Sequence, residues 1–321
     1  MRRPTISAAI RAYNAEEHIG ETLTAILSQT LPPDEVVVID DGSTDGTPAE
    51  LERFRDEVRI VRQANGGYAG AFNRSFEEAR GDYVANCDAD DVWEPDKLER
   101  QLDALLVHPE TDVAFAGASL FGLKEGPFNS GLATAGLLGR RDFARQLYRG
   151  NPICTSSTVV RRSLFARVGP FRHSAAPSED YDYWLRALLA GATFFHEPGS
   201  LVRYRVHSEQ VSSDLLRMRR AEYTAHCRHS ELADEDQGLV RDVMARDLSN
   251  LARALWEQGS PREARTLFAS SFRQRRSPRT LAWVLALSAP DRYRAPLVDG
   301  LASLKHLTGA GEGRLATRPA P

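Results

Sequence analysis

Glu35-Val36-Val37-Val38-Ile39-Asp40-Asp41-Gly42-Ser43-Thr44-Asp45 joins a β-branched run to a knot of carboxylates, hydroxyls and glycine. A short unbroken apolar run reads as a strand buried on both faces, the habit of a parallel sheet. Working outward, Thr5–Ile10, Val58–Gln63, Asp82–Cys87 and Asp112–Ala118 read the same way. Helix-period segments separate them. Ala15–Thr30 sets Ile19, Leu23, Ile26 and Leu27 on one face, and Thr47–Arg55, Ala69–Ala79 and Pro95–Val107 follow, the last with Pro in its first turn. This alternation predicts an α/β fold, Rossmann-like, with a mostly parallel sheet covered by helices on both faces. In such sheets ligands sit beyond the carboxyl ends of the strands.

Three of those ends are polar: Arg11-Ala12-Tyr13-Asn14, Asp40 through Gly46, and Asp88-Ala89-Asp90-Asp91. If the strands are parallel, all three meet on one edge. Tyr13 is then placed to stack on a base, and Asp41 to accept a hydrogen bond from a base N–H or a ribose hydroxyl. Taken alone, the second cluster reads better as an Asx turn or helix cap; the convergence favours a site. In the third cluster the carboxylates repel one another. A hard divalent cation, completed by donor phosphates, relieves that repulsion. The rival reading is a solvated acidic turn before Pro95.

In this order the motifs resemble the family-2 glycosyltransferases, whose fold is the A-type glycosyltransferase fold. The likeness rests on Tyr13-Asn14, Val38 through Asp45, Asn65-Gly66-Gly67 with Asn73, and Gly81-Asp82-Tyr83 with Asp88 through Asp91. It continues through Ser178-Glu179-Asp180-Tyr181-Asp182-Tyr183-Trp184-Leu185-Arg186 to Tyr204-Arg205-Val206-His207, covering residues 4–210. The resemblance implies an inverting enzyme that moves a sugar from a nucleotide-diphosphate donor, a UDP-sugar being favoured, to an acceptor hydroxyl. Polysaccharide or lipopolysaccharide assembly, with a glycan or lipid-linked acceptor, is the setting it implies.

By position, the resemblance implies that Tyr13, Asp41, Asn73 and Asp88 contact the donor. Asp90 would ligate Mn2+ or Mg2+, and Asp180 would be the catalytic base. Glu179 and Asp182 compete with Asp180, and all three acids also read as helix-start residues complementing the dipole. His207 is either a further metal ligand or a hydrogen-bonded structural histidine. Two departures stand out. Arg11-Ala12 replaces a frequent Pro-Thr, so Arg11 either contacts the donor or caps the sheet edge. Phe72 precedes Asn73 where the family often has Arg, which removes a cation expected near the donor.

The boundaries expected are a catalytic domain over 1–215, a helical region over 216–307 and a disordered tail over 308–321. The nucleotide-binding half of the catalytic domain covers about 1–118 and the acceptor half about 119–215. Leu120–Gly139, Gly-rich, is expected to be a loop over the site. Asp247–Phe272 reads as a helix pair turned at Gly259-Ser260-Pro261, with another apolar helix near Leu281–Leu287. A net charge of −3 excludes a nucleic-acid partner on composition. Cys87, Cys154 and Cys227 show no pairing pattern, which fits a cytoplasmic protein. No run of about 18 apolar residues predicts a membrane span. Arg262, Arg265, Arg273, Arg275, Arg276 and Arg279 read first as a solvated helix face, and second as a peripheral anchor at the inner face of an anionic membrane.

Other classes fit less well. A nucleotidyltransferase needs a basic Gly-rich loop after the first strand, where Glu16-Glu17 stands. A dehydrogenase needs a G-x-G-x-x-G there. A non-catalytic sugar- or nucleotide-binding assembly protein is disfavoured by Asp90 and Asp180. A peptide or small-molecule acceptor stays open, and the oligomeric state has no sequence signal.

Overall fold

The computed structural model describes residues 2–128, 134–208 and 214–289, with scattered positions up to 301. The tail expected over 308–321 and the centre of the Leu120–Gly139 loop lie outside the described residues. The chain forms two compact units, Met1–Asp214 with Arg228–Ala233, and Leu215–Cys227 with Asp234–Pro321.

The first unit opens with β1 (Ile6–Ala12), α1 (Ile19–Leu27), β2 (Glu35–Asp40), α2 (Thr47–Glu52) and β3 (Arg59–Arg62). It continues with α3 (Gly67–Glu78), β4 (Tyr83–Asp88), β5 (Val92–Trp93), α4 (Lys97–Val107) and β6 (Val113–Gly122). Short strands β7 (Gly126–Pro127) and β8 (Gly136–Leu137) precede α5 (Arg140–Arg149), β9 (Val159–Arg161), α6 (Arg162–Val168), α7 (Glu179–Leu189) and β10 (Phe194–Val206). The sheet order is β3-β2-β1-β4-β9-β6-β10-β5. β3, β2, β1 and β4 run parallel, as do β6 and β10. All of β1 is buried, which is why its sequence shows no alternation. Ile19, Leu23 and Ile26 of α1 turn inward with β1 and β4 residues into one core.

Two strands depart from simple alternation. β9 runs antiparallel between β4 and β6. It is too short to show in the sequence, yet Val159 and Val160 are fully buried. β5 follows β4 directly but pairs antiparallel with β10, Val202 opposite Trp93. The Asp88–Asp91 stretch therefore crosses from the end of β4 to the end of β10.

The second unit is helical: α8 (Leu215–Arg228), α9 (Gln237–Glu257), α10 (Pro261–Gln274) and α11 (Pro278–Ser288). The turn after α9 is a Schellman cap: Ser260 N donates to Leu255 O and Gly259 N to Trp256 O. The cap requires a left-handed residue, and Gly259 adopts that conformation without strain at φ +78°. Phe268 stacks on Trp283 at 4.9 Å inside the unit's core. Among the described residues no helix is long and apolar enough to cross a membrane.

One charged side chain is sealed inside the first unit. Lys97 is 0% exposed, its Nζ 4.0 Å from the centroid of the Trp93 ring and donating to Gln101 Oε1 at 2.8 Å. Burial pulls its pKa down from 10.5 to about 7, with the Cys87 and Cys154 thiols opposing the change. Between those values the unfolded chain holds a proton that the native state lacks, so this group makes stability rise with pH. Lys97→Met is expected to stabilise the protein at pH 7. The advantage should shrink by about 1.4 kcal/mol per pH unit toward pH 10 in denaturant titrations. Parallel pH profiles for the two proteins would refute the neutralised lysine.

Candidate active site

The first two strand ends lock together. Ser43 Oγ accepts from Asn14 N at 3.0 Å, and Asn14 Oδ1 accepts from Thr44 N at 2.9 Å. Asn14 sits at φ +50°, a left-handed conformation that Asn tolerates. The two adjacent aspartates divide the readings the sequence offered. Asp40 is fully buried and closes the loop locally, Oδ1 accepting from Ser43 N at 2.9 Å. Asp41 Oδ1 accepts from Gln63 Nε2 at 2.7 Å and Gly66 N at 2.8 Å. Its Oδ2 has no hydrogen-bond partner among the described residues. Beside it Gly42, at φ +79°, leaves no room for a side chain, since a Cβ would lie 2.9 Å from Asn65 N. Tyr13 is 51% exposed at the end of β1, its ring open to a planar partner.

The acidic end of β4 is neutralised residue by residue. Asp88 Oδ1 accepts from Arg11 Nη2 at 2.7 Å, Oδ2 from Tyr68 OH at 3.2 Å, and its N–H donates to Ser156 Oγ at 3.0 Å. Arg11 is buried, and Nη1 also donates to Asn86 Oδ1 at 3.1 Å. Burial works against the guanidinium charge, but Asp88 outweighs it and the group stays cationic. Asp91 is fully buried, accepting from Ser156 Oγ and from Arg205 N. Burial, then Asp90 and Asp88, hold its carboxyl well above the usual range.

Asp90 faces the other way. Its Oδ2 lies 3.0 Å from His207 Nε2, and Arg205 Nε donates to its backbone carbonyl at 2.8 Å. Burial and the charge of Asp88 push its carboxyl upward. A carboxylate crowded by like charge, with an imidazole nitrogen alongside, suits a divalent cation. Among the described residues no cluster of three or more His, Cys, Asp or Glu side chains is arranged to hold one. Asp90 and His207 are two donors that such an ion could take.

Asp180 and Asp182 sit two residues apart in the first turn of α7 and face different surroundings. Asp180 Oδ2 accepts from Thr155 Oγ1 at 3.0 Å and Asn151 Nδ2 at 3.1 Å. Burial raises its pKa, and Asp88 adds to the rise while those hydrogen bonds oppose it. Asp182 is fully buried against Arg186 and His229, each at 2.9 Å. Burial opposes its charge, yet these partners hold its carboxyl below the usual range.

The structure thus gathers Tyr13, Asp41, Arg11, Asp88, Asp90, His207 and Asp180 along the carboxyl edge of the sheet. Asn73 is not among them: its amide is spent on the backbone of Phe171, at 2.8 and 3.1 Å, tying α3 to the loop before α7. Sequence reasoning missed the 3-10 turn Thr155–Ser157, which touches Asp180 through Thr155 and Asp88 and Asp91 through Ser156. Its signal was the hydroxyl run Thr155-Ser156-Ser157-Thr158. These residues are all buried, and buried hydroxyls need partners.

Sheet, edge and acidic cluster together are those of a sugar-transferring enzyme with the A-type glycosyltransferase fold. The model of glycosyl transferase family 2 matches residues 7–169, and the chain belongs to that family. It is 29% identical over 216 residues to the glycosyltransferase TuaG of Bacillus subtilis, named for teichuronic acid biosynthesis; the match covers 66% of this chain and 83% of TuaG. Among solved structures it resembles S. aureus TarS 1-349, crystallised with UDP-GlcNAc, at TM-score 0.63 and 18% identity over 94% of this chain and 92% of that one. It also resembles the mannosyltransferase PcManGT of Pyrobaculum calidifontis, in complex with GDP-Man and Mn2+, at TM-score 0.56 and 20% identity, covering 96% and 88% of the two chains.

The contrast between the two aspartates is measurable. Asp182→Asn is expected to cost about 3 kcal/mol of stability, because it leaves the buried Arg186 guanidinium without its carboxylate. Asp180→Asn should stay within about 1 kcal/mol of the parent in the same urea titration. Equal losses would mean that both acids serve only the fold.

Proposed function

We propose that this chain transfers a sugar from a nucleotide-diphosphate donor, a UDP-sugar by preference, to a hydroxyl of a glycan or lipid-linked acceptor, with inversion. The observation carrying this reading is Asp180, a carboxyl of raised basicity held by Thr155 and Asn151 within reach of Asp88's charge. A base and a charge-handling group on one sheet edge meet the two needs of glycosyl transfer.

Tyr13 stacks on the donor base, while the open oxygen of Asp41 accepts from the base or ribose. Asp90 and His207 would hold Mn2+ or Mg2+. That ion, when bound, supplies positive charge to the departing diphosphate. Asp180 takes the proton from the acceptor hydroxyl as its oxygen attacks the anomeric carbon. Attack from the side opposite the leaving group inverts that centre. The donors and the Mn2+ in the TarS and PcManGT complexes, and the naming of TuaG, favour nucleotide-sugar chemistry in building a surface polymer. Attachment to an anionic membrane face is favoured by Leu281 and Leu285, 39% and 62% exposed on α11, with Arg275, Arg276 and Arg279 just before them.

Calorimetry with UDP, GDP and dTDP, each with and without Mn2+, tests the donor site. UDP is expected to bind with metal dependence, and Asp90→Ala to abolish that dependence. No binding of any nucleotide would overturn the assignment. Asp180→Asn should lower kcat by about a thousandfold with KM for the donor little changed. Since the base works deprotonated, the acid limb of kcat/KM should fall above the ordinary aspartate value of about 3.9. Co-sedimentation with anionic vesicles should weaken as salt rises; absence of binding at low salt would rule out the membrane contact.

A further inference from the structure

Two side chains beside the acidic end of β4 touch each other: Arg11 of β1 and Phe72 of α3. The guanidinium carbon of Arg11 lies 3.8 Å from the centroid of the Phe72 ring. Arg11 of β1 thus stacks its charge on an aromatic ring of α3 while pairing with Asp88. We infer that Arg11 is a positioning residue that holds Asp88 away from the metal, so that cation binding depends on the donor diphosphate; this rests on the donor site proposed above.

The geometry leaves Asp88 little freedom. Arg11 takes Oδ1, Tyr68 takes Oδ2, and Ser156 receives the backbone N–H. Arg11 is itself pinned by Asn86 and by the Phe72 ring. A planar fork that bridges two acceptors while stacking is beyond a lysine. Arg11 is the one charged side chain in β1, and burying an ion pair is a poor route to stability, so folding alone does not account for it. With Asp88 engaged, Asp90 and His207 are left to offer one carboxylate and one imidazole. A cation that prefers about six ligands must then draw the rest from diphosphate and water.

The test measures Mn2+ affinity by spin-resonance titration, with and without UDP, for the parent, R11M, R11K and R11M/F72R, alongside melting curves. In R11M, Asp88 is released and a positive charge is gone. Mn2+ alone should bind about tenfold tighter, and the factor by which UDP tightens it should fall about tenfold. R11M/F72R should restore both values. A folded R11M with the parent's affinity and UDP factor overturns the inference, as does Mn2+ binding that weakens together with the melting temperature. A folded double variant that fails to restore them also overturns it. Should R11M not fold, R11K decides: it is expected to lose part of the UDP factor, and the parent's value would refute the role of the fork. Failure of the parent to bind UDP at all would instead sink the donor site itself.

Discussion

Asp88, Asp90 and Asp91 stand together at the end of a parallel strand, partly shielded from water, where like charges are weakly screened. Everything around them is arranged to make that tolerable. Asp88 is matched by Arg11 and Tyr68, Asp91 is buried with Ser156 and the backbone of Arg205, and Asp90 is turned toward His207. Each acid thereby acquires a different character, although the three lie within four residues of chain. The crossing of the chain from β4 to β5 makes this division of labour possible, since it brings the end of β10 against Asp90 and Asp91.

The Thr155–Ser157 turn is the keystone between this cluster and Asp180. The hydroxyls of Thr155 and Ser156 face the acids, while two carbonyls of the turn are held from behind: Trp93 Nε1 donates to Ser156 O at 2.9 Å and Gln101 Nε2 to Ser157 O at 2.8 Å. Lys97, sealed in the core, orients Gln101. A lysine without access to water thus contributes to the edge of the sheet through one amide and one turn. Rigidity of this kind is what a site needs to hold its groups in place before substrate arrives.

Much of this was legible in the sequence. β2 and the parallel β1–β4 core follow from unbroken apolar runs, and the polar strand ends point to the edge where they meet. β5 and β9 were not legible, because pairs and triplets of residues carry no periodicity and their pairing is set by chain crossing. Nor could spacing separate Asp180 from Asp182: only the partners brought in from distant segments, Thr155 and Asn151 for one and His229 for the other, distinguish them. The pairing of the Asn73 amide with the backbone of Phe171 was not legible either, since its partner lies far along the chain.

The position of β10 has a consequence for biogenesis. Among the described residues it is the last strand in chain order, yet it lies inside the sheet between β6 and β5. Until Phe194–Val206 has left the ribosome, β6 presents an open edge to any passing strand. The acidic cluster likewise lacks Arg205 and His207 until the end of β10 has been made. Domains fold from the N-terminus as they emerge, so the β1–β4 half is poised to assemble early and wait. A chain truncated before residue 194 would carry the β1–β4 half on a sheet with an exposed flank, a form suited to aggregation and to removal by proteases.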